Sequence, residues 1–345
     1  MSTPVLLKTL SMPASLAGPS PEAVRARLTC EAAAGERTPL LIVADEGFDT
    51  RDIAQRIHDA SRPGAPFVTV ESAHADPAEV EIALFGSRAR PGAHAVRARP
   101  GAHDVEVLGS SSAFLRAGRG TVFVQDIGDL PSAVQRRLAR LLRDGEARPA
   151  GRVPVPVQAR VIASALPGIQ ADVLDGRVRA DLYRRLAVQE LAVPPLGGRP
   201  ADFPALVPMM ADAISRRLGR PTPTFTQSAL TVLAALPWRR NMQELEAVLE
   251  RTVGAAPDDK VEIRQEDVLA QLSFEGALAR RAPSASLREA RLRFERDYIA
   301  AVLEHHQWRM SDAARTLGIE RANLYRKTRQ LGIPRAAPAR AAANH

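Results

Sequence analysis

The chain has 345 residues, 45% of them apolar, and a formal net charge of +8. This length fits two or three domains with at least one large core, and the apolar share excludes a chain that is disordered throughout. A single cysteine, Cys30, excludes an intrachain disulfide and any zinc site built from several cysteines. The sequence shows no leader and no apolar run of membrane-spanning length, so we expect a cytoplasmic protein.

The first half of the chain alternates between strand and helix patterns. Residues 1–37 form a short segment rich in Pro, Ala and Ser, with one predicted helix over 21–34. Continuous apolar runs typical of buried parallel strands follow at 39–43, 67–70, 120–124 and 160–163, and helical patterns separate them at 51–60, 77–85 and 132–144. The alternation predicts an α/β subdomain over 38–195, with a parallel sheet and helices on both faces.

The heptapeptide RARPGAH occurs twice within this region, at 88–94 and 97–103. Two copies at this spacing indicate a local duplication in a surface loop, because a solenoid needs at least three units. Two histidines and four arginines suit an anion-binding loop, and an ordinary solvated loop is the alternative.

The pattern becomes helical after Pro195, with predicted helices at 201–218, 226–236 and 242–253 that would form a lid subdomain over 196–272. Asn241 is the predicted N-cap of the third helix. Residues 273–286 are rich in small residues and are predicted to be a linker.

Residues 287–335 carry a helix-turn-helix pattern, followed by a short tail over 336–345. Ser311 is the predicted cap of a helix over 312–317, Gly318 permits a tight turn, and a second helix over 320–330 is anchored by Leu324 and Leu331. From Arg281 to the end there are 13 Lys and Arg against 6 Asp and Glu, so this stretch carries 13 − 6 = +7. Side chains suited to base edges and phosphates lie on the second helix: Arg321, Asn323, Tyr325, Arg326, Lys327 and Arg329.

Two stretches carry a family resemblance. Residues 287–333, with AARTLGI followed by LYRK, resemble the Fis-type DNA-binding domain of bacterial enhancer-binding proteins. The segments ALFG at 83–86, GTVFVQDIGDLP at 120–131 and RADLYRRLAVQELAVPPL at 179–196 resemble the AAA+ domain of the same proteins, the sigma-54-dependent activators. The resemblance implies an AAA+ parallel-sheet subdomain with a helical lid, followed by an all-α Fis-type domain. It also implies a homodimer built on a long first helix over 288–305, with Leu292, Ile299, Val302 and Leu303 as its apolar stripe.

The phosphate-binding loop of that family departs from its pattern in this chain. Gly47 is kept, but Thr50 stands where the family has its lysine, and Arg51 follows. Asp45, Glu46 and Asp49 surround the same place, and their charge opposes that of a triphosphate.

Other family positions are changed or kept as follows. Gln125 and Asp126 occupy the place of two adjacent acids, and Leu166 aligns with a family asparagine. Gln243 aligns with a family arginine, and Arg240 with a glycine. Two interface arginines are kept, at Arg179 and Arg185.

The stretch after ALFG also lacks the Phe-Thr core of the family's sigma-54-contacting loop. We therefore predict a sequence-specific transcriptional regulator with a pseudo-ATPase scaffold, without enzyme activity or cofactor and independent of sigma-54. Its partner would be double-stranded DNA, with RNA polymerase or a regulatory protein as open possibilities, as is an oligomer above the dimer. The alternatives are an ATP-dependent sigma-54 activator with divergent motifs, and a scaffold that mainly binds a partner regulator.

Overall fold

The computed structural model describes residues 12–72, 76–88, 105–257, 261–279, 295–296, 298–300, 302–303, 306, 308–331 and 333. The chain divides after Pro195 into two compact units. The RARPGAH copies lie almost entirely outside the described residues, as do Leu292 and much of the predicted first helix of the Fis-type domain.

The first unit is an α/β unit whose order of elements follows the predicted alternation. Its helices are α1 Pro21–Gly35, α2 Thr50–Ser61, α3 Pro77–Phe85, α4 Ala113–Ala117, α5 Ser132–Asp144, α6 Ile169–Leu174 and α7 Ala180–Leu186. Its strands are β1 Leu40–Val43, β2 Phe67–Glu71, β3 Glu106–Leu108, β4 Thr121–Gln125, β5 Glu146–Pro149, β6 Val155–Pro156, β7 Arg160–Ala165 and β8 Gln189–Ala192.

The main sheet has five parallel strands in the order β2-β4-β7-β1-β8. The four strands predicted from apolar runs are confirmed. We missed β8, because only one of its four residues, Leu191, is buried and its sequence gives no continuous apolar run. Apolar side chains of the sheet pack into two clusters, one with Leu41, Val122 and Val161 and the other with Leu40, Ile42 and Phe123. A core on both faces explains why the strands read as uninterrupted apolar runs.

A smaller sheet, β3-β5-β6, was also missed, because its strands are short and only partly apolar. Beside it, the buried guanidinium of Arg137 forms ion pairs with Glu81, at 2.8 Å, and Glu106, at 2.6 Å. The same guanidinium lies 4.0 Å from the centre of the Phe85 ring. These contacts neutralise a charge that would be costly to bury alone, and they tie α3, β3 and α5 together.

The second unit contains α8 Phe203–Leu218, β9 Thr224–Phe225, α9 Gln227–Ala234, α10 Asn241–Ala255, β10 Glu262–Ile263, α11 Gln265–Ala279, α12 Met310–Thr316 and α13 Arg321–Gln330. The three predicted lid helices are confirmed to within a few residues. The linker prediction is wrong for residues 273–279, because α11 continues through them.

Asn241 is not the N-cap of α10. It is the first residue of the helix, with φ +42, and its side-chain oxygen accepts the N–H of Leu196 at 2.9 Å. The N-terminal end of α10 is supported instead by Glu244, whose carboxylate accepts the N–H of Arg240 at 3.0 Å. Among the described residues, no helix is both long and apolar enough to cross a membrane.

Candidate functional site

Helix α13 presents a basic surface on a well-anchored support. Leu324 and Thr328 are buried, while Arg321, Tyr325, Arg326 and Arg329 are exposed. Leu324 packs in an apolar cluster with Ile299, Leu303 and Ala313, which includes part of the stripe predicted on the preceding helix. The buried side therefore holds the helix, and the opposite side offers its cations to solvent.

The turn before α13 forms as predicted, with one correction. Gly318 has φ +64, a conformation that costs glycine little, and Ile319 packs against the cluster while its N–H donates to Ala314 O at 3.1 Å. Ser311 is not a cap, because α12 begins one residue earlier, at Met310, and follows Arg309. Leu331 packs against the same cluster as Leu324.

The six predicted DNA-contacting residues differ in their surroundings. The Arg321 guanidinium carbon lies 5.7 Å from the centre of the Tyr325 ring, and Arg326 donates to the Asn323 side-chain oxygen at 2.7 Å. Lys327 pairs with the carboxylate of Glu295 and is half-buried. Glu295 was missed as a partner of this surface, since nothing in the sequence pattern connects it with Lys327.

A second cluster of predicted residues lies at the carboxyl edge of the main sheet. Strands β1, β4 and β7 are parallel, so the segments that follow them begin at one edge. Gly47 has φ +86, and the Asp49 carboxylate caps α2 by accepting the N–H of Asp52 at 2.9 Å. Thr50 and Arg51 are the first residues of α2. A helix N-terminus at the edge of a parallel sheet is an arrangement that favours phosphate, but the carboxylate of Asp49 already uses one N–H group of this end.

Asp126 follows β4 in a left-handed backbone conformation, with φ +51 and ψ +71. Its N–H donates to Ser164 Oγ at 2.9 Å, and the Ser164 hydroxyl donates to Asp126 Oδ1 at 3.2 Å. Burial raises the pKa of Asp126, while the Ser164 hydrogen bond acts in the opposite direction. We missed Ser164 as a site residue, although it is a polar residue that follows the apolar run VIA within the strand RVIASA.

The remaining predicted positions are not all brought together. Leu166 follows β7 and is 49% exposed. Arg179 forms an ion pair with Asp181 at 2.9 Å, and Arg179 and Arg185 line one groove with Arg136, Arg140 and Arg143. Gln243 lies in the second unit, where its side-chain oxygen accepts from Arg240 at 2.8 Å. The carboxyl edge thus combines one amide, Gln125, with the carboxylate of Asp126 and the acidic segment after β1.

A five-stranded parallel α/β unit, a helical unit and a basic helix-turn-helix define a DNA-binding regulator of AAA+ type. Comparison with known families agrees. Residues 16–192 match the sigma-54 interaction domain, residues 198–283 the AAA+ ATPase lid domain, and residues 291–331 the Fis family of bacterial regulatory proteins. The chain belongs to the family of bacterial enhancer-binding proteins that carry the sigma-54 interaction domain.

Characterised relatives are transcriptional regulators. The chain is 32% identical over 343 residues to the nitrogen assimilation regulatory protein NtrX of Azorhizobium caulinodans, which covers 95% of this chain and 71% of the relative. It is 32% identical over 318 residues to the DNA-binding transcriptional regulator NtrC of Salmonella typhimurium, covering 85% of this chain and 65% of NtrC.

Two solved structures of NtrX from Brucella abortus are similar to this chain. The complex with ATP has a TM-score of 0.65 and the complex with ADP a TM-score of 0.64. Each is 29% identical and covers 92% of this chain and 69% of the NtrX chain.

These comparisons overturn one prediction. We predicted that the chain is not an enzyme, from the altered residues around Thr50 and Gln125. That prediction is wrong, because the chain belongs to a family of ATPases and similar NtrX structures hold ATP and ADP. A changed residue in a phosphate-binding loop shows only that one contact with the nucleotide is altered. The rest of the fold still forms the site, so the change does not by itself exclude enzyme activity.

Proposed function

We propose that this chain binds DNA sequence-specifically through α13 and regulates transcription as a homodimer. The observation that carries the proposal is the sidedness of α13, where Leu324 and Thr328 are buried and Arg321, Arg326 and Arg329 are exposed. A helix of this kind, supported by a second helix across a tight turn, suits the major groove of DNA. The +7 charge of the last 65 residues adds an attraction for phosphate that does not depend on sequence.

The surroundings of the six residues suggest a division of roles. Arg321 and Asn323 are proposed to contact base edges, because they lie in the first turn of α13, the end that faces the bases in helix-turn-helix proteins. Arg326 is proposed to lie at the DNA beside Asn323, to which it is hydrogen-bonded. Lys327 is proposed to lie at the DNA and to contact phosphate, and Tyr325 and Arg329 are proposed to contact phosphates or to support the packing.

Selection from random double-stranded DNA with the full chain tests this proposal. We expect one enriched site with two-fold symmetry, bound by two copies of the chain. Enrichment of no sequence, with binding that depends only on salt, would contradict sequence-specific recognition. A partner-binding scaffold would then become the better interpretation.

We further propose that regulation depends neither on sigma-54 nor on a cycle of ATP hydrolysis, with the AAA+ domain acting as a scaffold. Nucleotide binding, as in the NtrX complexes, is compatible with this proposal and would be weakened by the carboxylates around Thr50. Support comes from the sequence between α3 and β3, which has no Phe-Thr pair, and from the apolar clusters on both sheet faces, which form a core without a ligand.

A reporter driven by the selected site provides the test, measured in a host with and without sigma-54. We expect the same regulation in both hosts. Titration of the chain with ATP and magnesium, together with a phosphate-release assay, measures binding and turnover separately. Regulation that disappears without sigma-54 and tracks ATP turnover would establish the ATP-driven activator instead.

A further inference from the structure

Two arginines lie at the amino-terminal edge of the main sheet, opposite the edge that carries Gly47 and Asp126. Arg160 is the first residue of β7, and Arg62 follows the last residue of α2. The Arg160 side chain is buried, with 2% of the residue exposed, and its Nε donates to Thr38 O at 2.9 Å. Arg62 is half-buried, and its charge acts on Arg160.

The terminal nitrogens of this pair lack hydrogen-bond acceptors. Within the part of the chain that the structure describes, no acceptor reaches Nη1 or Nη2 of Arg160, or Nη1 of Arg62, and all three atoms are buried. Leaving a donor of a buried guanidinium unpaired costs more free energy than leaving a neutral donor unpaired, because the charged group also loses its hydration.

Neighbouring groups do not neutralise the pair. His58 Nε2 lies 2.9 Å from Ala65 O, which can only accept, so this nitrogen carries the proton. His58 Nδ1 lies 2.8 Å from the Thr121 hydroxyl, which a neutral ring accepts at this nitrogen. Burial is the main cause that lowers the pKa of His58, and the charges of Arg62 and Arg160 lower it further.

The charges around the pair are predominantly positive. Burial and the charge of Arg62 together lower the pKa of Arg160 to about 10, and Glu36 opposes this effect. Burial and the charge of Arg37 lower the pKa of Arg62. Glu36 is exposed and already accepts the Thr38 hydroxyl at 3.0 Å. Among the described residues, Arg37 therefore acts on Arg62 and Arg62 acts on Arg160, while the carboxylates that oppose them are Glu36, at Arg160, and Asp59, at His58.

We propose that Arg160 and Arg62 form a binding site for a small oxyanion, either a phosphate or a carboxylate. Both anions present several acceptor oxygens to the planar fork of a guanidinium. A water molecule would accept hydrogen bonds from the donors but would leave the two positive charges unneutralised. An oxyanion accepts the hydrogen bonds and also neutralises charge. The more accessible side is that of Arg62, which is half-buried, whereas Arg160 is 2% exposed.

Thermal unfolding of the full chain tests the site. Sodium phosphate and sodium acetate are titrated separately, with sodium chloride holding the ionic strength constant. We expect the unfolding temperature to rise with one of them beyond the effect of chloride, as binding to the folded state requires. The anion that acts at the lower concentration identifies the ligand as phosphate-like or carboxylate-like.

The variant Arg62→Gln removes one charge from a half-buried position and leaves the buried Arg160 side chain unchanged. We expect it to weaken the anion effect about tenfold or more. Arg25→Gln is the matched control, because Arg25 is exposed on α1 and pairs with Glu22 at 3.1 Å, so its response should equal that of the wild type. Since other arginines also attract phosphate, the difference between the two variants measures this site.

Either of two results overturns the proposal: an effect of both anions no greater than that of chloride, or an undiminished response in Arg62→Gln. A crystal soaked in selenate gives an independent position, with an anomalous peak expected between the Arg62 and Arg160 guanidinium groups. A selenate-soaked crystal without that peak would argue against a phosphate-like ligand, and the acetate titration then decides the carboxylate.

Discussion

The recognition helix and the carboxyl edge of the sheet hold charges of opposite sign on equally well-packed supports. On α13, Leu324 is buried while Arg321 and Arg326 face solvent. At the sheet edge, Ile42 and Phe123 are buried while Glu46 and Asp49 are exposed. Because the core holds each element in place, the exposed side chains can change without loss of the fold. The fold and the charges it displays therefore carry separate information about ligand binding, and at the sheet edge the charges alone led to a wrong prediction.

The largest effect is expected from removing the support of the basic helix. Leu324→Ala deletes a fully buried side chain and should cost about 2–5 kcal/mol of stability, a typical value for such a change. We expect the helix-turn-helix to unfold at a lower temperature and DNA binding to be lost. The fluorescence of Trp308, which packs on the same apolar cluster, reports the unfolding once Trp238 is replaced by Phe.

The control for that prediction is Leu331→Ala. Leu331 packs against the cluster but is only partly buried, so its loss should cost less than that of Leu324. Normal DNA binding by Leu324→Ala, with unchanged stability, would show that α13 is held by other contacts and would weaken the proposed interface.

A smaller effect is expected from the basic surface itself. Arg321→Ala should weaken binding to the selected DNA site by about 1–3 kcal/mol and broaden the sequence preference at one base pair. Lys327→Ala should weaken binding to all DNA sequences similarly and reduce the salt dependence of binding, because its proposed contact is with phosphate. Equal losses on all sequences for both variants would refute the division between base and phosphate contacts. Competition binding with selected and scrambled DNA measures the difference.

The parts of the fold that were predicted and those that were not differ in how far apart the interacting residues lie. The strands PLLIV and GTVFV and the helix over 132–144 were predicted because their apolar spacing is local to the segment. Strand β8 was missed because three of its four residues are not buried. The bond between Asp126 and Ser164 joins residues 38 positions apart, and the Lys327 pair with Glu295 spans 32. Such contacts depend on tertiary structure that no local pattern displays.

The cap predictions failed for a related reason. Ser311 and Asn241 have side chains that favour a helix start, but neither caps its helix in the structure. The N–H of Leu196 engages the Asn241 side chain from 45 positions away, and α12 starts before Ser311. The nucleotide-loop prediction failed at a further level, since residue types alone led to the wrong conclusion about enzyme activity.

The acidic edge can be made more like a phosphate site by one substitution. Thr50→Lys adds a cation at the first residue of α2, where Asp49 and Asp52 lie nearby. We expect ATP affinity to rise about tenfold, equivalent to about 1.4 kcal/mol, with DNA affinity unchanged. Thr50→Met, of similar length and without charge, is the control and should bind ATP like the wild type. Titration calorimetry with ATP and magnesium measures both variants, and equal affinities would show that residue 50 does not face the nucleotide.

The smallest effect is expected at Asp126. Burial raises its pKa in the folded chain above the usual value of 3.8, so the folded state binds the proton more tightly than the unfolded state does. The protonated carboxyl therefore favours folding at low pH, and this contribution is lost as the pH rises through the raised pKa. Asp126→Asn keeps an oxygen for the Ser164 hydroxyl but cannot ionise, so it should be more stable than the wild type at neutral pH. The difference should shrink on acidification and vanish below about 3.8, the unfolded pKa. Thermal unfolding of both proteins across this range tests the sign. A pH-independent difference would assign the effect to the left-handed backbone at residue 126, where asparagine is favoured, rather than to its charge.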